Sequence, residues 1–389
     1  MSVIDARQER GRAIAKAEGA VKRIDAYNYQ VESQTGHGTY SLIAFKLGWL
    51  CSCPDFIFRG VKCKHQWAVE ISLKLREQVR KDVVVIQPIS VKACPKCHAE
   101  DIKKHGIRHN KHASLQKFQC KACGYWFTVN LGFEGMHATP EIITSAMQLY
   151  FTGESFRGVR NFLKLQGVKF SHQAVYDWVK KYTALMERYL DEITPQVGDT
   201  WRTDELYVKI KGNMKYLFAM MDDETRFRIA QMVSEHKGSG DVRPMFREAQ
   251  ERAGKKPKVL ISDGAYNFAI ANRKEWWTRY ADNRTEHVAE IRLGGQVHNN
   301  KMERQNGEWR DREKVMRSLK REDSPIIGGM QIFHNYLRPH MGLNGKTPAE
   351  AAGIQVQGEN KWLTIIQNAA RRQETNLDTP TNQGRETSS

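Results

Sequence analysis

Hydrophobic and polar positions change rhythm several times along the chain, and each change marks a candidate module. Near the N-terminus, Ala26-Tyr27-Asn28-Tyr29-Gln30-Val31 and Gly38-Thr39-Tyr40-Ser41-Leu42-Ile43 alternate with period two, the pattern of half-buried strands. Gln66 to Val79 then follows a helical period. Three more helical patterns begin at 139. Thr139-Pro140-Glu141 reads as an N-cap and a first-turn proline, with Ile142, Ala146, Leu149 and Tyr150 on one face. Ser155 opens a second helix with Phe156, Val159, Phe162 and Leu163 apolar, and Gly167 makes the turn after it. Ser171 caps a third, His172 to Tyr182, with Ala174, Val175, Trp178 and Val179 inward. This order fits a helix-turn-helix unit whose last helix turns His172, Gln173, Tyr176 and Lys180 outward to a major groove. A plain helical bundle is the alternative.

From Trp201 the period returns to two. Residues 201–210, 216–221 and 228–233 read as three strands joined by short turns. A helix near Gly240–Ala253 leads to the apolar strand Lys258-Val259-Leu260-Ile261, which runs into Ser262-Asp263-Gly264. A helix-like stretch, a short strand over His287–Ile291 and a polar helix from about Asn300 to Lys320 complete the pattern. Trp276, Trp277 and Trp309 are expected in the core rather than stacked on bases. Arg371 to Ser389 is polar and reads as a disordered tail.

Composition narrows the function. With 389 residues, 40% hydrophobic and 27% charged, the chain is globular and has room for more than one domain. No apolar run reaches the ~20 residues of a membrane span, and the charged start lacks a signal-peptide core. Lys and Arg number 61 against 44 Asp and Glu, a net charge of +17. Both halves are basic, which suits a polyanion such as DNA better than a single sticky tail does.

The 7 cysteines fall into two clusters. Cys51-x-Cys53 is followed by Cys63-x-His65, and Cys94-x2-Cys97 by Cys120-x2-Cys123. Zinc takes four N/S ligands in a tetrahedron, and such tight corners place two donors on one ion. The cysteines and His65 make two full sets with no stray, so two closed structural zinc sites are expected. Without a secretory signal, disulfides are the weaker reading. His98, His105, His109 and His112 are then left to face solvent or phosphate. Lys103, Lys104, Arg108, Lys111 and Lys117, between the corners of the second set, suit phosphate contacts.

Among the acids, Asp204 lies on the first strand of the meander, Asp263 at the end of the fourth strand and Glu303 on the late helix. In an RNase-H-like sheet these three positions converge. Three carboxylates can hold two Mg²⁺ or Mn²⁺ ions, which favour oxygen ligands. Glu205 is expected on the opposite sheet face. Asp222 and Asp223 read as a turn, and Glu308 faces elsewhere around its helix. Asn300 and Gly307 share a face with Glu303, so Asn300 is a candidate to orient a carboxylate. Arg304, Arg310 and Lys314 are candidates for DNA backbone. His334, Asn335, Arg338 and His340 either approach DNA or pack locally.

Several segments resemble known families. CSCPDFIFRGVKCKH resembles a SWIM zinc finger, and CPKC with CKACGYWF resembles a zinc ribbon. SHQAVYDWVKKY is similar to the recognition-helix region of bacterial transposases. WRTDELYVKIKG, ISDGAYNF and NNKMERQNGEWRDREK, with the closing IFHNYLRPHMGLNGKTPAEAAG, resemble the blocks of an insertion-sequence DDE transposase over about residues 140–353. The resemblance implies DNA end cleavage and strand transfer by an oligomer on paired transposon ends. It also implies a metal-binding triad of Asp204, Asp263 and Glu303. A DNA-binding regulator without chemistry, or a nuclease that cuts without joining, are the competing readings.

The expected organisation is therefore multidomain, mixing α+β and α/β parts. A SWIM-like finger spans 1–82, a zinc ribbon 90–132 and a helix-turn-helix 139–192. An RNase-H-like catalytic domain of mixed sheet spans 197–353, and an extension with a polar tail 354–389. The expected setting is a prokaryotic cytoplasm, at the nucleoid, with transposon-end and target DNA as partners and no membrane.

Overall fold

The computed structural model describes residues 3–17, 20–24, 28–34, 38–45, 48–79, 83–89, 93–109, 114–128, 131–289, 299–316 and 319–377. Expectations resting on Ala26, Tyr27, Lys111, His112, Glu290 and Ile291, and on the tail beyond Leu377, lie outside the described residues. The chain divides into two compact units. One holds Met1–Val84, Thr194–Asp323 and Pro339–Ile354, the other Val85–Ile193, Ser324–Arg338 and Gln355–Ser389.

The first unit begins with a helix the sequence pattern did not announce, α1 (Val3–Lys16). An antiparallel meander follows: β1 (Val21–Arg23), β2 (Asn28–Glu32), β3 (Thr39–Phe45) and β4 (Gly48–Cys51). Helices α2 (Pro54–Arg59) and α3 (Lys64–Val79) complete the module. Its buried centre is small, with Ile14, Tyr29, Val31, Leu42 and Val69 packed beside Cys51, Cys53 and Cys63. So small a core would gain stability from a metal ion on those sulfurs.

In the second unit, β5 (Val84–Ile86) leads to a three-stranded antiparallel sheet of β6 (Ile102–His109), β7 (Ser114–Cys120) and β8 (Trp126–Thr128). Three helices follow: α4 (Pro140–Thr152), α5 (Phe156–Leu165) and α6 (His172–Asp191). Each starts as its cap residue requires. The side chains of Thr139, Ser155 and Ser171 accept from the backbone N–H groups of Ile142, Gly158 and Ala174. The buried face of α4 is Ile143, Ala146, Met147, Tyr150 and Phe151, rotated slightly from the expected Ile142 and Leu149. Phe162 is exposed rather than inward. On α6, Val175, Trp178 and Val179 are buried as expected, Ala174 is half-buried, and Tyr182 joins the buried face.

The remainder of the first unit is built on β9 (Thr200–Ile210), β10 (Asn213–Asp222) and β11 (Arg228–Ser234), an antiparallel meander. Then come α7 (Ser239–Ala253), β12 (Val259–Ile261), α8 (Tyr266–Trp276), β13 (Glu286–Val288) and α9 (Asn300–Met316). The sheet order is β11-β10-β9-β12-β13, with β12 parallel to both β9 and β13. This is the RNase-H-like order. One face carries an aromatic core in which Trp276 meets Trp201 at 5.8 Å and Phe246 at 4.6 Å between ring centres. On the other face, Met302 of α9 is buried against Ala219 and Met221 of β10. Trp276 and Trp309 are core residues, whereas Trp277 lies 60% exposed, beyond the end of α8.

The chain ends with α10 (Pro325–Ile332), α11 (Pro348–Ala351), β14 (Ile354–Val356) and α12 (Lys361–Leu377). Helix α12 runs through Arg371, where a disordered tail was expected, because Trp362, Ile365, Ile366 and Ala369 form a buried stripe along it. Within the second unit, Trp362 stacks on Phe151 of α4 at 5.4 Å and donates from Nε1 to Gln148 Oε1 at 2.8 Å. His334 and Asn335 are buried, which decides for packing over DNA contact at those two positions.

Two helical glycines give opposite tests. A Cβ on Gly329 would sit 2.3 Å from Phe151 Cζ, whereas one on Gly307 would meet nothing within 4 Å. Gly→Ala in a helix normally gains about 1 kcal/mol. Gly307→Ala should therefore stabilise the protein by about that amount. Gly329→Ala should destabilise it by about 1–3 kcal/mol through overpacking. Urea unfolding of both variants checks the pair of signs.

Candidate active site

The sheet places its acids by register. Strand β12 pairs with β9 from Val259↔Thr200 to Ile261↔Arg202 and stops there, so Asp263 emerges beside Asp204. Gly264 makes the exit possible. It has a φ of +88°, and a Cβ there would lie 2.5 Å from the Ala289 carbonyl oxygen. The Asp263 carboxylate accepts from Ala265 N–H at 3.0 Å, which fixes its start-of-helix orientation. Below it, Ser262 Oγ and His287 Nε2 are 2.9 Å apart.

Carboxylate oxygens of Asp204, Glu205 and Asp263 lie within 4.8 Å of one another. Glu205 therefore joins the site, contrary to the expectation from strand alternation. The pleat does direct the two neighbours to opposite faces. Beyond the end of β12, however, the sheet is open, and both carboxylates can reach round to Asp263. Lys237, after β11, stands 3.9 Å from Glu205. Glu303, exposed on the flank of α9, stands outside that triangle but adds its charge to the field on Asp204. Burial pushes the Asp204 carboxyl up to about 7, and the charges of Asp263, Glu205 and Glu303 add to this. The Glu205 backbone N–H, donating to Asp204 Oδ1 at 2.9 Å, opposes it. Burial and Asp263 also raise Glu205.

Helix α9 supplies an orienting group the sequence reading missed. Asn306 Nδ2 donates to Asp204 Oδ2 at 2.8 Å, and Asn306 is 2% exposed. The expected Asn300 is exposed, while Asn299, just before it, is buried and reaches the Thr203 carbonyl at 3.4 Å. The i, i+3 spacing from Glu303 to Asn306 was a signal available in the sequence. Arg304 and Arg310 are exposed on the same helix. Lys314 pairs with Asp311 at 2.8 Å. In the second unit, His172 and Gln173 are exposed at the start of α6 and Lys180 two turns further on. Tyr176 is half-buried against Phe156, 5.5 Å between ring centres.

Both cysteine sets converge. Cys51, Cys53, Cys63 and His65 form one group, and Cys94, Cys97, Cys120 and Cys123 another. In the second, Sγ atoms are 3.7 Å (Cys94–Cys123) and 3.5 Å (Cys97–Cys120) apart. Tetrahedral zinc thiolates, with bonds of about 2.3 Å, put sulfurs about 3.8 Å apart, and a disulfide would need about 2.05 Å. The two knuckles also repeat one backbone pattern. His98 N–H donates to the Cys94 carbonyl and Gly124 N–H to that of Cys120, each at 2.9 Å. In the first set, His65 Nδ1 lies 3.9 Å from both Cys51 and Cys63 sulfurs. A hydrogen bond from Cys51, aided by His65, brings the Cys63 thiol down to about 4, into the thiolate form that metals bind.

An RNase-H-like sheet with acids clustered at the end of its central strands is an arrangement that a DDE domain requires. Residues 198–340 match the family profile of a DDE domain, and residues 46–74 that of a SWIM zinc finger. Relatives include the transposase for insertion sequence-like element IS431mec from Staphylococcus aureus strain Mu50. Another is the transposase for insertion sequence element IS257 in transposon Tn4003 from Staphylococcus aureus. Each is 26% identical over 138 residues, covering 34% of this chain and 59% of the relative. The chain thus spans 59% of the length of the curated relatives it matches. Among solved structures, the HTLV-2 integrase catalytic core domain with magnesium is 16% identical, with a TM-score of 0.31 over 41% of this chain and 98% of that one. Residues 198–340 thus match a DDE domain and residues 46–74 a SWIM zinc finger, and over 34% of its length the chain is similar to insertion-sequence transposases.

The raised Asp204 carboxyl has a signed consequence. Its folded value, about 7, lies above the ordinary carboxylate value near 4. The folded state therefore holds that proton more tightly than the unfolded state does. The resulting penalty is absent below pH 4, grows between 4 and 7 and is full above 7. Without added Mg²⁺ or Mn²⁺, Asp204→Asn should melt a few degrees above the parent at pH 8 and level with it near pH 4. Calorimetric melting at both pH values tests this.

Proposed function

We propose that the protein is a DDE transposase that cleaves DNA at the ends of an insertion sequence and joins the freed 3′ ends to target DNA. The observation that carries this is the convergence of Asp204, Glu205 and Asp263 at the open end of a DDE-family sheet, with Glu303 outside that triangle but adding its charge to the field on Asp204. Asp204, Asp263 and Glu303 are the proposed ligands of divalent ions. The donor set is all oxygen and strongly negative, which suits Mg²⁺ or Mn²⁺. When bound, such ions lower the pKa of an attacking water or 3′-hydroxyl and stabilise the leaving 3′ oxygen of an in-line displacement at phosphorus.

The chain's own groups have separate tasks. Asn306 holds Asp204 in one orientation through its 2.8 Å bond. The Ala265 N–H does the same for Asp263. In cleavage, water oxygen bonds to phosphorus while the bond to the 3′ oxygen breaks. In joining, that 3′-hydroxyl attacks a target phosphate and displaces another 3′ oxygen. Neither step needs a covalent bond to the protein.

His172, Gln173, Tyr176 and Lys180 on α6 are the proposed readers of end sequence, with Arg304 and Arg310 on the DNA backbone near the cut. The two cysteine sets are proposed as closed zinc sites, one ion each. Two transposon ends call for at least two copies of the chain.

Labelled DNA flanking the gene, incubated with a supercoiled plasmid and Mg²⁺ or Mn²⁺, should give joined products. Asp204→Asn, Asp263→Asn and Glu303→Gln should each lower cleavage and joining by a factor of about 10³ or more and leave gel-shift affinity within about twofold. Cleavage without joining would make the protein a nuclease, and binding with neither reaction would make it a regulator. Metal analysis should return two zinc ions per chain, with Cys53→Ser losing one and keeping the other.

A further inference from the structure

A second group of charges is buried on the same face of the sheet as α9. Asp223, in the turn after β10, exposes none of its side chain. Arg202 Nε donates to its Oδ1 at 2.5 Å. Lys301 Nζ donates to the same oxygen at 2.7 Å and to the Asp223 backbone carbonyl at 2.9 Å. Burial works against the charge, yet the cations of Arg202, Lys301 and Arg23 hold the carboxyl below the usual carboxylate range.

Two of these cations belong to elements that carry the acid site. Arg202 is two residues before Asp204 on β9. Lys301 is two residues before Glu303 on α9, the helix whose Asn306 bonds Asp204. Asp223 therefore ties together the strand and the helix whose acids must meet.

The third cation comes from the SWIM-containing module. Arg23 ends β1, and its Nη1 pairs with Glu224 at 3.1 Å, with the two side chains 10% and 19% exposed. The Arg23 backbone carbonyl accepts from Thr200 Oγ1 at the start of β9. Lys22 reaches Glu286 of β13 at 3.7 Å. Strand β1 thus touches the core at three places: the start of β9, the turn after β10, and β13. A DNA-binding arm would turn its cations outward to phosphate. Here both are directed at acids of the same chain.

We propose that the partner of the SWIM-containing module is the DDE core of its own chain, and that Arg23 is a positioning residue for the carboxylate site. It acts through Asp223 and Glu224 on Lys301 and α9. Removing the guanidinium takes one cation from buried Asp223 and an ion pair from Glu224, which loosens the hold on the start of α9. The proposal rests on the acid-site reading given above.

The test uses the full-length, zinc-loaded chain with Arg23→Met, Glu224→Gln, the double variant and Arg23→Lys. Three quantities are measured. They are amide hydrogen exchange over residues 300–316, Mn²⁺ affinity by titration with Asp204→Asn as the blank, and gel-shift affinity for the flanking DNA. Arg23→Met and Glu224→Gln should each speed exchange in α9 by about tenfold and weaken Mn²⁺ binding several-fold. The double variant should be little worse than either single change. Arg23→Lys should recover much of the loss, and DNA affinity should stay within about twofold. Lost DNA affinity with exchange and Mn²⁺ binding unchanged would overturn the proposal in favour of a nucleic-acid arm. No change in any of the three would also overturn it. If Arg23→Met does not fold, Glu224→Gln and Arg23→Lys carry the same readouts. None of these measurements requires strand transfer, so failure of the transposase reading is seen separately.

Discussion

Carboxylates held within 4.8 Å of one another repel, and in the folded chain that repulsion adds to burial in lifting the Asp204 carboxyl to about 7. A site of this kind is assembled against its own electrostatics and has to be held by the rest of the fold. The restraint comes from three directions. Parallel pairing of β12 with β9 fixes Asp263 relative to Asp204. The burial of Met302 against Ala219 and Met221 docks α9 on the sheet. The Asn306 amide then takes one Asp204 oxygen directly. The same contacts hold the acids together against that repulsion, which a bound divalent cation would relieve.

The same logic applies at smaller scale to the cysteine sets. Among its described residues the sheet of β6, β7 and β8 buries few apolar side chains, and its two knuckles present four sulfurs at distances suited to one ion. In the N-terminal module, Gln66 closes the corner by accepting from Cys63 N–H at 2.7 Å and donating to the Trp49 carbonyl at 2.6 Å. Both modules thus gather these side chains by backbone geometry, and a bound metal ion would add to the stability of each.

Much of this was legible in the chain. Cysteine spacing marked both groups that converge, and the caps Thr139, Ser155 and Ser171 marked three helix starts. Strand alternation and the order of elements gave the sheet. What escaped was information that lives in register and termination. Glu205 enters the acid cluster because β12 stops one residue before Ser262, which a period-two pattern does not encode. Asn306 was passed over because an amide inside a polar helix looks like any solvated position until its burial is known. Helix α1 was read only as a charged start, since its apolar positions are few. Helix α12 was partly read as tail because its polar face dominates the composition, while the stripe from Trp362 to Ala369 is what packs.

The unit that contains α4, α5 and α6 is discontinuous in sequence. Its α4–α6 bundle receives Trp362 of α12, and Asn368 of that helix donates to the Gln87 carbonyl at 2.8 Å. A ribosome delivers α4 to α6 early and α12 more than a hundred and fifty residues later, after the whole catalytic sheet. The bundle therefore has to wait for translation to pass through the active-site domain before its hydrophobic faces are covered. A chain cut short anywhere within that domain would expose Phe151 and its neighbours. The finished three-helix bundle is in this sense a signature of a polypeptide whose acid-bearing sheet has already been made.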